Sequence, residues 1–100
     1  MDTSTTYTFW IGTFSVPADY SLQDGYYRTQ ELTKASFDWQ LSNNFYNKPQ
    51  YVWTEDQLFS YLIGLGFGNL PAEEEAAWLV SVNHGYIELR KGSTLYFILK

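Results

Sequence analysis

The sequence contains no cysteine, one histidine, three prolines and only six lysines and arginines in 100 residues. Each shortage removes a class of protein. Without cysteine there is no disulfide framework and no cysteine-ligated metal site, and the absence fits a reducing compartment. His84 is alone, so a zinc site would have to recruit several carboxylates around it, and no spacing in the chain suggests one. Asp19 and Asp24 fall in a turn-rich stretch that lacks the alternating oxygen ligands of a calcium loop. No nucleophile is paired with a base, so the expectation is a non-enzyme that holds no metal or cofactor.

The six cations are Arg28, Lys34, Lys48, Arg90, Lys91 and Lys100, dispersed apart from the Arg90–Lys91 pair. Nucleic-acid affinity comes chiefly from such groups neutralising phosphates, so composition leans away from a general nucleic-acid binder. No apolar run approaches the roughly 18 residues that a membrane span needs. The opening "MDTSTTYTF" carries an acid where a secretory signal carries positive charge. Together these place the protein in the cytoplasm, away from membranes.

What is abundant is ring surface and acid. Nine Tyr, seven Phe and four Trp make up 20% of the chain, and eleven acids bring the net charge to −5. A single domain of this length buries many rings in its core, each covering a large apolar area. Those left outside are the types enriched in protein–protein interfaces. Trp10, Tyr26, Tyr27, Tyr46 and Tyr51 are the aromatic contact candidates.

Along the chain, "TYTFWIGTFSV" (6–16) reads as a strand. Tyr7, Phe9 and Ile11 share one face, while Trp10, Phe14 and Val16 lie near the other, so both faces need cover. Asp24-Gly25 marks a turn. Residues 29–46 carry helical spacing, with Thr29 as a plausible N-cap. "QYVW" (50–53) is a short β-prone run. Thr54-Glu55-Asp56-Gln57 then forms a capping box opening a second helix that ends among Gly64, Gly66 and Gly68. A third helix begins near Pro71, with Glu73, Glu74 and Glu75 in its first turn and Gly85 as its C-cap. "YIELRK" and "TLYFILK" flank Gly92-Ser93 as a hairpin.

The order helix, short strand, capped helix, helix, hairpin over residues 29–100 resembles the winged-helix superfamily. "YVWTEDQLFSYL" resembles its short strand and second helix, and "LPAEEEAAWLVSVNHGYIEL" its third helix running into the first wing strand. The resemblance implies an α+β fold in one domain: a winged-helix-like three-helix core (29–100), a C-terminal β-hairpin, and an N-terminal β-strand extension (1–28). That extension would be packed on the wing or exchanged in a homodimer. In DNA-binding members the third helix enters the major groove, where Arg, Lys, Asn and Gln read bases. The corresponding helix here bears Glu73, Glu74 and Glu75 and no base, so phosphates would repel it.

Two functions follow. The first is a small acidic protein-interaction module (adaptor, subunit or inhibitor) whose rings and Glu73–Glu75 meet a basic partner surface. One variant imitates nucleic acid and blocks a nucleic-acid-binding enzyme, as small phage-encoded inhibitors do. The second is a winged-helix transcriptional regulator contacting DNA through Arg90, Lys91 and Lys100 on the wing.

Overall fold

The computed structural model describes residues 4–100. Residues 1–3, which open the segment read as an extension and carry its first acid, lie outside the described residues. The strand β1 (Thr6–Ser15) organises the rest. Successive side chains of a strand point to opposite faces. Phe9 and Ile11 are buried on one face with Tyr7 beside them, and Trp10 packs on the other. A strand apolar on both faces must be covered on both.

Its edges are occupied too. Residues Thr6–Trp10 pair antiparallel with β3 (Gln50–Thr54), and residues Trp10–Ser15 pair antiparallel with β5 (Thr94–Leu99). β5 forms a hairpin with β4 (Gly85–Lys91), and β2 (Tyr27–Glu31) lies on the far side of β4. The result is a five-stranded antiparallel sheet in the order β2-β4-β5-β1-β3. Gly92 turns the hairpin at φ 60, a conformation that favours glycine.

The helices α2 (Glu55–Gly64) and α3 (Asn69–Ser81) cover the Phe9 face. Their Leu58, Leu62, Ala76 and Leu79 pack on Phe9, Ile87, Leu89 and Ile98. Burying each of the larger side chains contributes about 2 kcal/mol. The helix α1 (Lys34–Asn44) covers the opposite face, where Phe37 and Phe45 pack with Leu99, Trp10 and Phe97. The capping box forms as the sequence indicates: the Gln57 amide donates to Thr54 Oγ1 at 3.2 Å, and Thr54 N–H donates to Gln57 Oε1 at 2.9 Å.

This architecture replaces the winged-helix expectation. The fold is α+β, but α1 lies across the sheet from α2 and α3, so there is no three-helix core. The hairpin is no peripheral wing, since β5 is the central strand. The segment read as an extension supplies β1, which the hairpin and β3 enclose. β1 is therefore an interior strand of the sheet, paired on both sides.

Three local readings change with it. Residues 29–31 belong to β2, and α1 is capped by Thr33, whose hydroxyl accepts from Ser36 N–H at 3.2 Å. α3 begins at Asn69, so Glu73–Glu75 stand past its first turn, where the helix dipole gives them little support. Gly85 is not the C-cap, for α3 ends at Ser81 and Gly85 starts β4. A Cβ on Gly85 would lie 2.7 Å from Val82 Cγ2 and 3.2 Å from the Gln30 carbonyl oxygen, so close packing requires the glycine.

Gly85→Ala is therefore expected to destabilise the fold by about 1–3 kcal/mol in urea unfolding. Gly64→Ala, where a Cβ meets nothing within 4 Å, is expected to be neutral or stabilising by about 0.5 kcal/mol. Equal effects at the two sites would contradict the packing argument.

Candidate functional site

The β3 edge owes its character to the turn that delivers it. Asn47 adopts φ 66, a left-handed conformation that asparagine tolerates, and Lys48 N–H donates to the Phe45 carbonyl at 2.9 Å. The chain thus reverses after α1 and enters β3 at Pro49, whose carbonyl accepts from Ile11 N–H at 3.1 Å. Hydrogen bonding to one neighbour alternates along an antiparallel strand. Pro49, Tyr51 and Trp53 therefore direct their main chain at β1, and Gln50, Val52 and Thr54 direct theirs out of the sheet. The outward Thr54 N–H is taken by Gln57. The N–H and C=O groups of Gln50 and Val52 meet no backbone group among the described residues.

Side chains at this edge are exposed and apolar. Val52 is 62% and Tyr46 75% exposed. Trp10, Leu41, Tyr46 and Gln50 line an open cavity of about 490 Å³ between α1 and the sheet, with Asp38 and Lys48 also on its wall. On the opposite face, Tyr51 lies 4.6 Å from Trp53 and Trp53 lies 5.3 Å from Tyr61, ring centre to ring centre. The site combines free main-chain donors and acceptors, a row of rings and a side-chain-sized recess. Such a site can bind an extended polypeptide.

Of the residues singled out from sequence, Trp10, Tyr46 and Tyr51 converge at this edge. Tyr26 and Tyr27 do not; they lie at and just before β2, at the other end of the sheet. Tyr27 sits near Glu75 and Glu74, and burial followed by those two charges pushes its phenol pKa up. Glu73 and Glu74 are exposed. Glu75 is not the solvated acid expected: it is 8% exposed and its Oε2 has no hydrogen-bond partner. Burial, and then the neighbouring Glu74, raise its pKa to about 7. Gln50 and Val52 escaped the sequence reading, which had only the β-prone "QYVW" to go on.

The bases proposed for DNA contact are engaged within the fold. Arg90 donates to the Leu22 carbonyl at 2.8 Å and to the Gly92 carbonyl at 3.2 Å, holding the 17–26 loop to the hairpin. The Lys91 ammonium stands 5.0 Å from the Phe67 ring centre. Lys100 donates to the Val80 carbonyl at 2.7 Å and to that of Val82, closing the C-terminal end of α3, and its burial lowers its pKa. The others have partners as well: Arg28 lies 3.9 Å from Glu88, Lys34 2.9 Å from Asp38, and Lys48 5.0 Å from the Phe14 ring centre. The six cations do not form one face.

A second cavity, of about 390 Å³, opens where Phe14, Tyr20, Phe45, Leu95 and Phe97 meet under α1 and the loop. Its walls are mainly apolar, with Ser15, Gln40 and Asn44 also lining it. Glu88, on β4 directly opposite Phe97, is 3% exposed, and burial raises its pKa. Its Oε1 has no hydrogen-bond partner, since Arg28 at 3.9 Å stands beyond bonding reach.

Among the described residues no group of three His, Cys, Asp or Glu is placed to hold a metal ion, and no helix is long and apolar enough to cross a membrane. Comparison with protein-family models, curated proteins and solved structures gave no significant match.

Glu75 gives the domain a pH dependence. Between its ordinary value of 4.5 and its folded value of about 7, the folded chain keeps a proton that the unfolded chain has released. Stability therefore falls as pH rises through that window and is flat above it. Glu75→Gln, which copies the protonated form, is expected to gain on the order of 1–2 kcal/mol at pH 8 and nothing at pH 4. Thermal unfolding of both proteins at the two pH values checks this, and a gain independent of pH would refute the assignment.

Proposed function

We propose that this protein is an interaction module that docks an extended polypeptide strand against the open edge of β3. The observation that carries the reading is the pair of outward N–H and C=O groups on Gln50 and Val52, beside the cavity of Trp10 and Tyr46. Strand addition draws its affinity from main-chain hydrogen bonds and its selectivity from pockets for alternate side chains. Both elements are present here on one edge.

Contrast between the two edges strengthens the reading. Natural sheets guard exposed edges with charge, bulges or cover. β2 carries Arg28 and Glu31, whereas β3 has no charged residue from Gln50 to Thr54. An unguarded apolar edge invites association. The edge would select by hydrogen bonds and ring contact. A basic partner surface, favoured by the net charge of −5, would instead meet Glu73 and Glu74 on α3. Such a module acts as an adaptor, subunit or inhibitor in the cytoplasm. The DNA-binding alternative draws no support from Arg90, Lys91 and Lys100, since each already has a partner in the chain.

Selection of short peptides from a random library tests the proposal. Selected peptides should slow hydrogen exchange at the Gln50 and Val52 amides. Val52→Pro should weaken them by about tenfold or more, because it removes an outward N–H that no strand of the sheet uses. Peptides that bind the variant equally well and leave those two amides unprotected would count decisively against strand docking.

A further inference from the structure

The five residues of β3 read nearly the same in both directions. Gln50-Tyr51-Val52-Trp53-Thr54 is polar, aromatic, aliphatic, aromatic, polar about Val52. We infer that the strand received by this edge is β3 of a second copy, the two pairing antiparallel about a two-fold axis through Val52. The inference rests on the strand-docking reading and names its partner.

A two-fold interface brings the same surface against itself, so every residue must suit its symmetry mate. Pairing about Val52 sets Val52 opposite Val52 of the second copy, Tyr51 opposite Trp53, and Gln50 opposite Thr54. Val52 points its main chain outward, so the central pair exchanges both of its N–H···O=C bonds. Tyr51 and Trp53 then fall at the non-hydrogen-bonded positions, where cross-strand side chains approach most closely. Each ring of the Tyr51–Trp53 stack, already 4.6 Å from its neighbour, gains a partner across the axis. The two exposed Val52 side chains meet on the α1 face.

Charge fits the same register. No residue of β3 is charged, so the axis brings no like charges together. β2 lacks this property, because its Arg28 and Glu31 are unsymmetrically placed in Tyr27–Glu31. The product is one continuous sheet across two chains, with the β3 edge closed and the β2 edges outermost.

Sedimentation velocity of the full chain over about a thousandfold range of concentration reads the equilibrium. The wild type should pass from monomer to dimer. Val52→Lys should move the midpoint at least about tenfold toward monomer while leaving the far-ultraviolet circular dichroism unchanged, since the side chain is exposed in the monomer. A wild type that stays monomeric, or a Val52→Lys protein that dimerises unaltered, would overturn the inference. A monomeric wild type whose Gln50 and Val52 amides are still protected by selected peptides would overturn the second copy alone. Absence of both behaviours would overturn strand docking as well.

Discussion

The constraint on which the structure depends is that β1 has no side it can leave in water. Phe9 and Ile11 demand cover on one face and Trp10 and Phe14 on the other, and hydrogen-bonding partners are needed along its length. The chain answers by placing helices on both faces, with α2 and α3 on one and α1 on the other. The hairpin and β3 supply the neighbours. The position of β3 at the rim follows directly. It is the last strand β1 can recruit, and the helix it leads into begins at once, capped by Thr54 and Gln57. Its outer main chain is left without a mate because the sheet ends there.

Charge plays a holding role in this molecule. Arg90 ties a loop to the hairpin and Lys100 closes a helix end, while Lys48 and Lys91 lie against rings. Cations committed to carbonyls and ring faces are poor material for a phosphate backbone, whose binding requires them to be free. Meanwhile two carboxylates are taken from water without a hydrogen bond to one of their oxygens, Glu75 on α3 and Glu88 on the sheet. Such burial costs stability unless it is compensated. The domain is thus built on ring packing and main-chain pairing, with electrostatics contributing at particular joints.

How much of this the sequence disclosed depends on how local the determinant is. The two-faced character of β1, the Thr54–Gln57 box and the Gly92 hairpin are written in neighbouring residues, and each is found where the pattern put it. β2 went unseen because Tyr-Arg-Thr-Gln-Glu has no apolar alternation; only its pairing with β4 makes it a strand. Gly85 offered a helix-end signature, yet its real reason is a Val82 methyl group brought close by packing. The winged-helix pattern matched an order of elements, and order alone does not say on which face of the sheet a helix lies. The candidate site was half legible: Trp10, Tyr46 and Tyr51 could be named as rings to spare. That Gln50 and Val52 border solvent is a property of strand order, which no window of sequence contains.

The neighbourhood of β1 and β5 has a bearing on how the protein folds. Residues 10–15 find their mates at 94–99, a separation near the full span of the described chain. Closing so long a loop costs chain entropy before the contacts that offset it can form, so this pairing is expected to slow the folding of the domain.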